Sequence, residues 1–267
     1  IHTRVDSRVE QVVKRIRVGN VYVNRNQIGA VVGTQPFGGE GLSGTGPKAG
    51  GPWYLARFLR YPISHRDQVQ AETIGIDALN SLLPGLAGLR TTSAVPGEDL
   101  LRRIAQQQGI EWRDRSIISI EAMPGPTGET NQLSAHPRGV VLCLGPDRET
   151  ALSQALTALA QQNRVVIVAE QGEHLAALLR DNGLPAVGTE GEIDADCLQS
   201  IEGIDAVMSQ AQPQRLTEYR IALAGRDSKL IPLICEDGVL ERLIVERHLC
   251  IDTTAAGGNA SLIAAGS

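Results

Sequence analysis

Apolar residues at Val5, Val9, Val12 and Ile16 recur every three or four positions, which predicts one face of an amphipathic helix stopped by Gly19-Asn20. Val21, Tyr22 and Val23 suit a short strand, and the glycine-dense run over 29–51 predicts a loop. Such a loop lets backbone amides approach a ligand closely. A flexible spacer is the alternative, although Pro36, Phe37 and Lys48 are foreign to Gly/Ser spacers. Over 68–113 the pattern turns helical, with Ile74, Leu79, Leu82 and Leu83 before Pro84, then Leu100, Leu101 and Ile104 before Gly109. GPTGETNQLS then supplies turn chemistry. An apolar strand over 140–144, a helix over 149–162 with Leu152, Leu156 and Leu159, and a strand over 165–168 complete a strand-helix-strand unit. A helix over 174–181 and short strands over 206–208, 221–223, 230–233 and 249–251 extend an α/β pattern. Segments 17–30 (RVGNVYVNRNQIGA) and 245–258 (VERHLCIDTTAAGG) also align without gaps, setting Val21 on Leu249, Val23 on Ile251, Asn24 on Asp252 and Gly29 on Gly257. Either the two halves end in the same structural element or the echo is chance.

Composition narrows the classes. A length of 267 residues favours two domains, and 42% hydrophobic residues with a net charge of -5 describe an ordinary folded protein. No basic patch stands out, and 3% aromatic residues leave few platforms for stacking bases, so nucleic-acid binding is disfavoured. The most apolar long stretch, 73–89, is broken by Asp77, Pro84 and glycines, so no membrane span is predicted. The chain opens on Ile1 with an amphipathic pattern rather than a signal peptide, and the expectation is that the natural N-terminus lies upstream. Cys143, Cys197, Cys235 and Cys250 are widely spaced with no zinc-type pattern, which predicts no metal site and reduced, buried thiols in a cytoplasmic protein.

Residues 19–58, GNVYVNRNQIGAVVGTQPFGGEGLSGTGPKAGGPWYLARF, closely resemble the L-glutamate γ-semialdehyde dehydrogenase branch of the aldehyde dehydrogenase superfamily, as found in bifunctional proline utilization A flavoenzymes. PGPTGETN (124–131), PRGVVLCLGP (137–146) and the terminal TTAAGGNASLI resemble the C-terminal domain of the longer members. The resemblance implies that the backbone amides of Gly29 and Ala30 hold the substrate α-carboxylate. Two successive N–H groups flanked by small side chains make such a concavity chemically sensible. It also implies that Phe37, in PFGG, packs on the substrate's aliphatic part. Ser43, Thr45 and Lys48 are read as loop-structuring residues, and GLSGTGPK lacks the Walker A spacing.

An aldehyde dehydrogenase needs a cysteine nucleophile, which the family presents in a Gly-Gln-x-Cys context that no cysteine here has. Catalytic residues are therefore expected outside this chain, and the isolated chain is expected to be inactive. The turn after the 140–144 strand reads GPDRET, placing Asp147 and Glu149 where a pyrophosphate would want amides, so no cofactor is expected to bind this chain alone. The expected fold is α/β: the end of an aldehyde dehydrogenase catalytic domain (1–62), a helical connector (63–115), and a Rossmann-like domain of the same superfamily with a terminal tail (116–267). By resemblance, Gly257, Gly258, Asn259 and Ser261 of that tail lie at an interface enclosing the internal path of the intermediate. The parent enzyme implied would use FAD to oxidise proline and NAD to oxidise L-glutamate γ-semialdehyde, the open form of 1-pyrroline-5-carboxylate, to glutamate. Its partners would be upstream catalytic domains of the same polypeptide, the small-molecule substrate and further copies of itself, and its proline dehydrogenase domain could sit peripherally at a membrane. Two rival readings are a non-catalytic assembly or tunnel-cover module and the end of a generic aldehyde dehydrogenase.

Overall fold

The computed structural model describes residues 1–87, 89 and 97–254. Along the chain come helix α1 (Asp6–Arg15), strands β1 (Asn20–Val23) and β2 (Thr73–Ile74), and helices α2 (Ile76–Ala87) and α3 (Glu98–Gln107). The hairpin strands β3 (Ile120–Met123) and β4 (Glu129–Pro137) are followed by β5 (Val140–Cys143), α4 (Arg148–Ala160), β6 (Arg164–Val168), α5 (Gly172–Asp181) and β7 (Ala186–Thr189). The remainder is β8 (Glu192–Ile193), α6 (Ala195–Ser200), β9 (Ala206–Met208), α7 (Pro213–Ala224), β10 (Leu233–Ile234) and β11 (Ile244–Asp252). These elements form two compact units, one from Ile1–Leu59, Ile118–His136 and the segment starting at Val245, the other from Arg60–Ile117 and Pro137–Ile244. The units cut across the consecutive segments 1–62, 63–115 and 116–267 expected from sequence. The physical reason is strand pairing, which is blind to distance along the chain: β11 joins β1, and the β3-β4 hairpin joins β11, in one sheet of order β1-β11-β4-β3.

The second unit is a parallel sheet of order β10-β9-β5-β6-β7. Strands β5 and β6 are buried on both faces, so their side chains alternate between two cores. Val141, Cys143, Val165 and Ile167 pack with α3, α4 and α5, while Val140, Leu142, Val166 and Val168 pack with α2, α6 and α7. The chain runs outward from β5 through β6 to β7, then returns to place β9 on the other side of β5. This is the doubly wound order of a dinucleotide-binding fold, and β5/β9 is its switch point. The sequence placed a strand over 221–223, but these residues lie inside α7. Pro213 opens that helix, and Leu216, Tyr219 and Leu223 at helical spacing form its buried face. The turn chemistry expected of GPTGETNQLS is confined to its first residues, and β4 begins at Glu129.

Helix α4 is capped by Asp147, whose carboxylate accepts from the Thr150 amide at 2.8 Å and from the Thr150 hydroxyl at 2.9 Å. Asp147→Ala is expected to lower stability by about 1 kcal/mol. Urea unfolding followed by the fluorescence of Trp112, buried in this unit and bonded to Thr157, checks this.

Candidate functional site

The glycine-rich loop belongs to the first unit, and its shape is dictated by residues about a hundred and two hundred positions later in the chain. Glu129, the first residue of β4, closes the base of segment 25–35. Its Oε2 accepts from Arg25 Nη1 at 2.7 Å, and its Oε1 accepts from Gln35 Nε2 and from Asn131 Nδ2. Gln35 in turn accepts the Val31 amide at 3.0 Å and donates its own amide to the Val31 carbonyl. Burial alone would raise the Glu129 carboxyl, but hydrogen bonds from Asn131, Cys250 and Gln35 and the charge of Arg25 outweigh it and hold the group below its ordinary range.

Gly29 sits within this closed segment at φ 125°, a backbone that L side chains rarely adopt. Neither the Gly29 nor the Ala30 amide donates a hydrogen bond among the described residues. The adjoining cavity, lined by Tyr22, Arg25 and Asn26 among others, ends its lining at Ile28. Phe37 is held in a backbone bridge with Ala49, with N–H to carbonyl distances of 3.0 and 2.9 Å, and its ring is about half exposed. The structure thus carries Gly29, Ala30 and Phe37 on one loop, without a side-chain or backbone hydrogen bond linking Phe37 to the other two.

Lys48 is the buried clamp of this loop. Its Nζ donates to the Gly38 carbonyl at 2.5 Å and to Asn20 Oδ1 at 2.9 Å, and its amide donates to Glu246 Oε2 at 2.6 Å. Only 1% of the residue is exposed, and burial pulls its ammonium down to about 8, with Glu246 and Glu40 opposing. Gly19 must be glycine here, because a Cβ would fall 1.8 Å from the Gly38 carbonyl oxygen. Arg247 on β11 grips Glu40 with two bonds, Nε to Oε2 at 2.9 Å and Nη2 to Oε1 at 2.8 Å. Sequence reasoning missed Glu129, Arg247 and Glu246. Their only local signal is that they are charges placed within alternating strands.

No cysteine offers a ready nucleophile. All four are buried, and burial pushes the thiols of Cys235 and Cys250 up to about 11 and that of Cys143 higher still. Among the described residues no group of His, Cys, Asp or Glu could hold a metal ion, and no helix is long and apolar enough to cross a membrane. Gly257, Gly258, Asn259 and Ser261 lie outside the described residues.

Residues 1–62, which include the whole clamped loop, match the model of the aldehyde dehydrogenase family. Over 278 aligned residues the entire chain is 37% identical to the Bifunctional protein PutA of Salmonella typhimurium, of which it covers 20%. A stretch of 58 residues, 22% of the chain, is 56% identical to 1-pyrroline-5-carboxylate dehydrogenase 1 of Halalkalibacterium halodurans and covers 11% of it. A solved structure of Proline Utilization A from Corynebacterium freiburgense is similar over 93% of this chain and 22% of its own, at 19% identity and a TM-score of 0.47. The chain thus spans about a fifth of the length of the PutA proteins it matches.

The switch point of the second unit is where its fold would place a dinucleotide. A crevice of about 600 Å³ opens there, lined by Asp147 after β5, Glu170 after β6, Gln210 after β9 and Asp237 after β10. These residues do not fit a pyrophosphate. Asp147 already occupies the first-turn amide that a phosphate would use, and Asp147, Glu149 and Glu170 would repel it.

Proposed function

We propose that the chain supplies the substrate-anchoring end of an NAD-dependent dehydrogenase that oxidises L-glutamate γ-semialdehyde to glutamate, within a larger proline-catabolic protein whose other domains provide the nucleophile, the NAD site and an FAD-dependent proline dehydrogenase. The observation that carries this reading is the pair of unpartnered amides at Gly29 and Ala30, presented by a pinned loop in the part of the chain that matches the aldehyde dehydrogenase family model. Two adjacent N–H groups without an internal acceptor suit a carboxylate, and Phe37 on the same loop offers an aromatic face for the methylene chain. The 56% identity to a 1-pyrroline-5-carboxylate dehydrogenase supports this substrate over a generic aldehyde. Val32, Leu42, Leu55 and Phe58 are each at least 71% exposed, which supports burial of this unit against the rest of such a dehydrogenase.

Gly29→Val in the complete enzyme is expected to raise the KM for the semialdehyde, because a β-branched residue resists positive φ and redirects both amides. The KM for NAD should stay unchanged. Steady-state kinetics with each substrate varied separately checks this, and an unaltered semialdehyde KM would remove Gly29 and Ala30 from the site. The isolated 267-residue chain is expected to make no NADH from the semialdehyde. Turnover by it would place the nucleophile among the four buried cysteines and overturn the reading.

The capped switch point also supports a second role, in which the Rossmann-like unit is a non-catalytic assembly or tunnel-cover module.

A further inference from the structure

The buried thiol of Cys250 takes no part in the chemistry proposed above, yet it is not apolar filling. Cys143 packs among aliphatic side chains of the second unit, whereas Cys250 belongs to no apolar cluster of the described residues. It lies on β11, where burial alternates and Glu246, His248 and Cys250 share the buried face. Two side-chain donors reach its sulfur, Arg25 Nη1 at 3.4 Å and Gln35 Nε2 at 3.5 Å. These are the same two groups that the Glu129 carboxylate receives.

Gln35 is where a second acceptor matters. Its carbonyl oxygen accepts from the Val31 amide, the N–H that follows those of Gly29 and Ala30 along the chain. Its NH2 group carries two hydrogens and meets two acceptors, Glu129 Oε1 and Cys250 Sγ. Gln35 is only 2% exposed, so little water can replace either one. Glu129 opens β4 and Cys250 lies on β11, and these strands are neighbours in one sheet. A single acceptor would leave Arg25 and Gln35 free to pivot about it, whereas two acceptors on different strands fix them in two directions. Burial pushes the thiol up to about 11, so it stays protonated at neutral pH. Its S–H donates to Glu129, and the sulfur lone pairs stay open to the two N–H groups.

We propose that Cys250 is a positioning residue of the carboxylate anchor, its sulfur bracing Arg25 and Gln35 so that the Val31 amide stays tied back and the Gly29 and Ala30 amides stay open to the substrate. This role rests on the reading of those two amides as the anchor. It gives the thiol neither nucleophilic nor redox chemistry.

Steady-state kinetics of the complete enzyme, with the semialdehyde and NAD varied separately, tests it in Cys250→Ala, Cys250→Ser and Gly29→Val. Cys250→Ala should raise the semialdehyde KM about fivefold, the scale of one lost hydrogen bond. The effect should fall on that KM and not on kcat or the NAD KM. Cys250→Ser keeps an acceptor in the same place and should recover most of the loss. Cys250→Val, which fills the space without accepting, should behave as Cys250→Ala does, and it decides the matter if the alanine variant does not fold by circular dichroism. An equal semialdehyde KM in the alanine and serine variants, a loss confined to kcat, or a loss shared by the NAD KM would each overturn the proposal. Gly29→Val separates the brace from the anchor. A semialdehyde KM raised in Gly29→Val but unchanged in Cys250→Ala removes the brace alone, whereas one unchanged in Gly29→Val removes the anchor and the brace with it.

Discussion

Glu129→Ala in the complete dehydrogenase is expected to lower kcat/KM for the semialdehyde by about a hundredfold, the cost of displacing a binding group by roughly 1 Å. Glu129 touches no substrate in this reading. It acts as a positioning residue, because its carboxylate receives Arg25 at one end of segment 25–35 and Gln35 at the other, with Gly29 and Ala30 between them. Without it the Arg25 guanidinium loses its ion-pair partner and Gln35 loses its acceptor, so the loop stems separate. The loss should fall mainly on the semialdehyde KM and leave the NAD KM alone. Glu129→Gln retains an acceptor for one stem and should recover much of the activity. Equal loss in both variants, or a fall confined to kcat, would mean that Glu129 serves general stability instead. The pH behaviour follows from the depressed carboxyl. A group held lower in the folded state than in the unfolded chain contributes stability above its unfolded pKa, and the contribution is lost as pH falls through the folded value. The loop should therefore stay pinned at neutral pH and loosen only in acid.

Where a stretch carries its own period, the sequence was enough to read it. Helix α1, strand β1, the β5-α4-β6 unit, α5, β9 and the 249–251 end of β11 follow from local spacing, because each buries a stripe or a face that its own residues define. Strand β7 and the β3-β4 hairpin were hidden, the first because Gly188 interrupts a run of four residues, the second because Pro124, Gly125 and Pro126 dominate the turn between its strands. Helix α7 was misread because Ile221 and Leu223 alternate locally, while the helical stripe is completed only by Leu216 and Tyr219. The alignment of segments 17–30 and 245–258 has a structural counterpart: β1 and β11 pair in parallel, with Val21 against Leu249 and Val23 against Ile251. The two similar strands are neighbours in one sheet, a pairing that the alignment itself did not predict. At the site, the loop itself was legible from its glycines. Its supports were not, since Glu129, Glu246 and Arg247 act across some hundred to two hundred residues and no local pattern encodes a partner that remote.

Lys48→Met is expected to destabilise the first unit by about 3 kcal/mol, the scale of removing hydrogen bonds from a buried charged donor. The methionine would fill the space but leave the Gly38 carbonyl and Asn20 Oδ1 without the ammonium that now joins them. Asn20 would keep its bond to the Pro36 carbonyl, so the unclamped part is the turn at Gly38 that follows Phe37. Urea unfolding followed by Trp53 fluorescence in a Trp112→Phe background isolates this unit, because the chain has two tryptophans. The pH dependence separates clamp from charge. The lysine falls from 10.5 to about 8 on folding, so between those values the unfolded chain binds more protons than the folded one, and wild-type stability rises with pH. Lys48→Met lacks that rise, and the stability gap between the two proteins should widen as pH is raised from about 8 to 10.5. A gap that narrows over this range would mean that the ammonium charge itself stabilises the fold. A constant gap would mean that burial does not perturb Lys48 and that the clamp holds through shape alone.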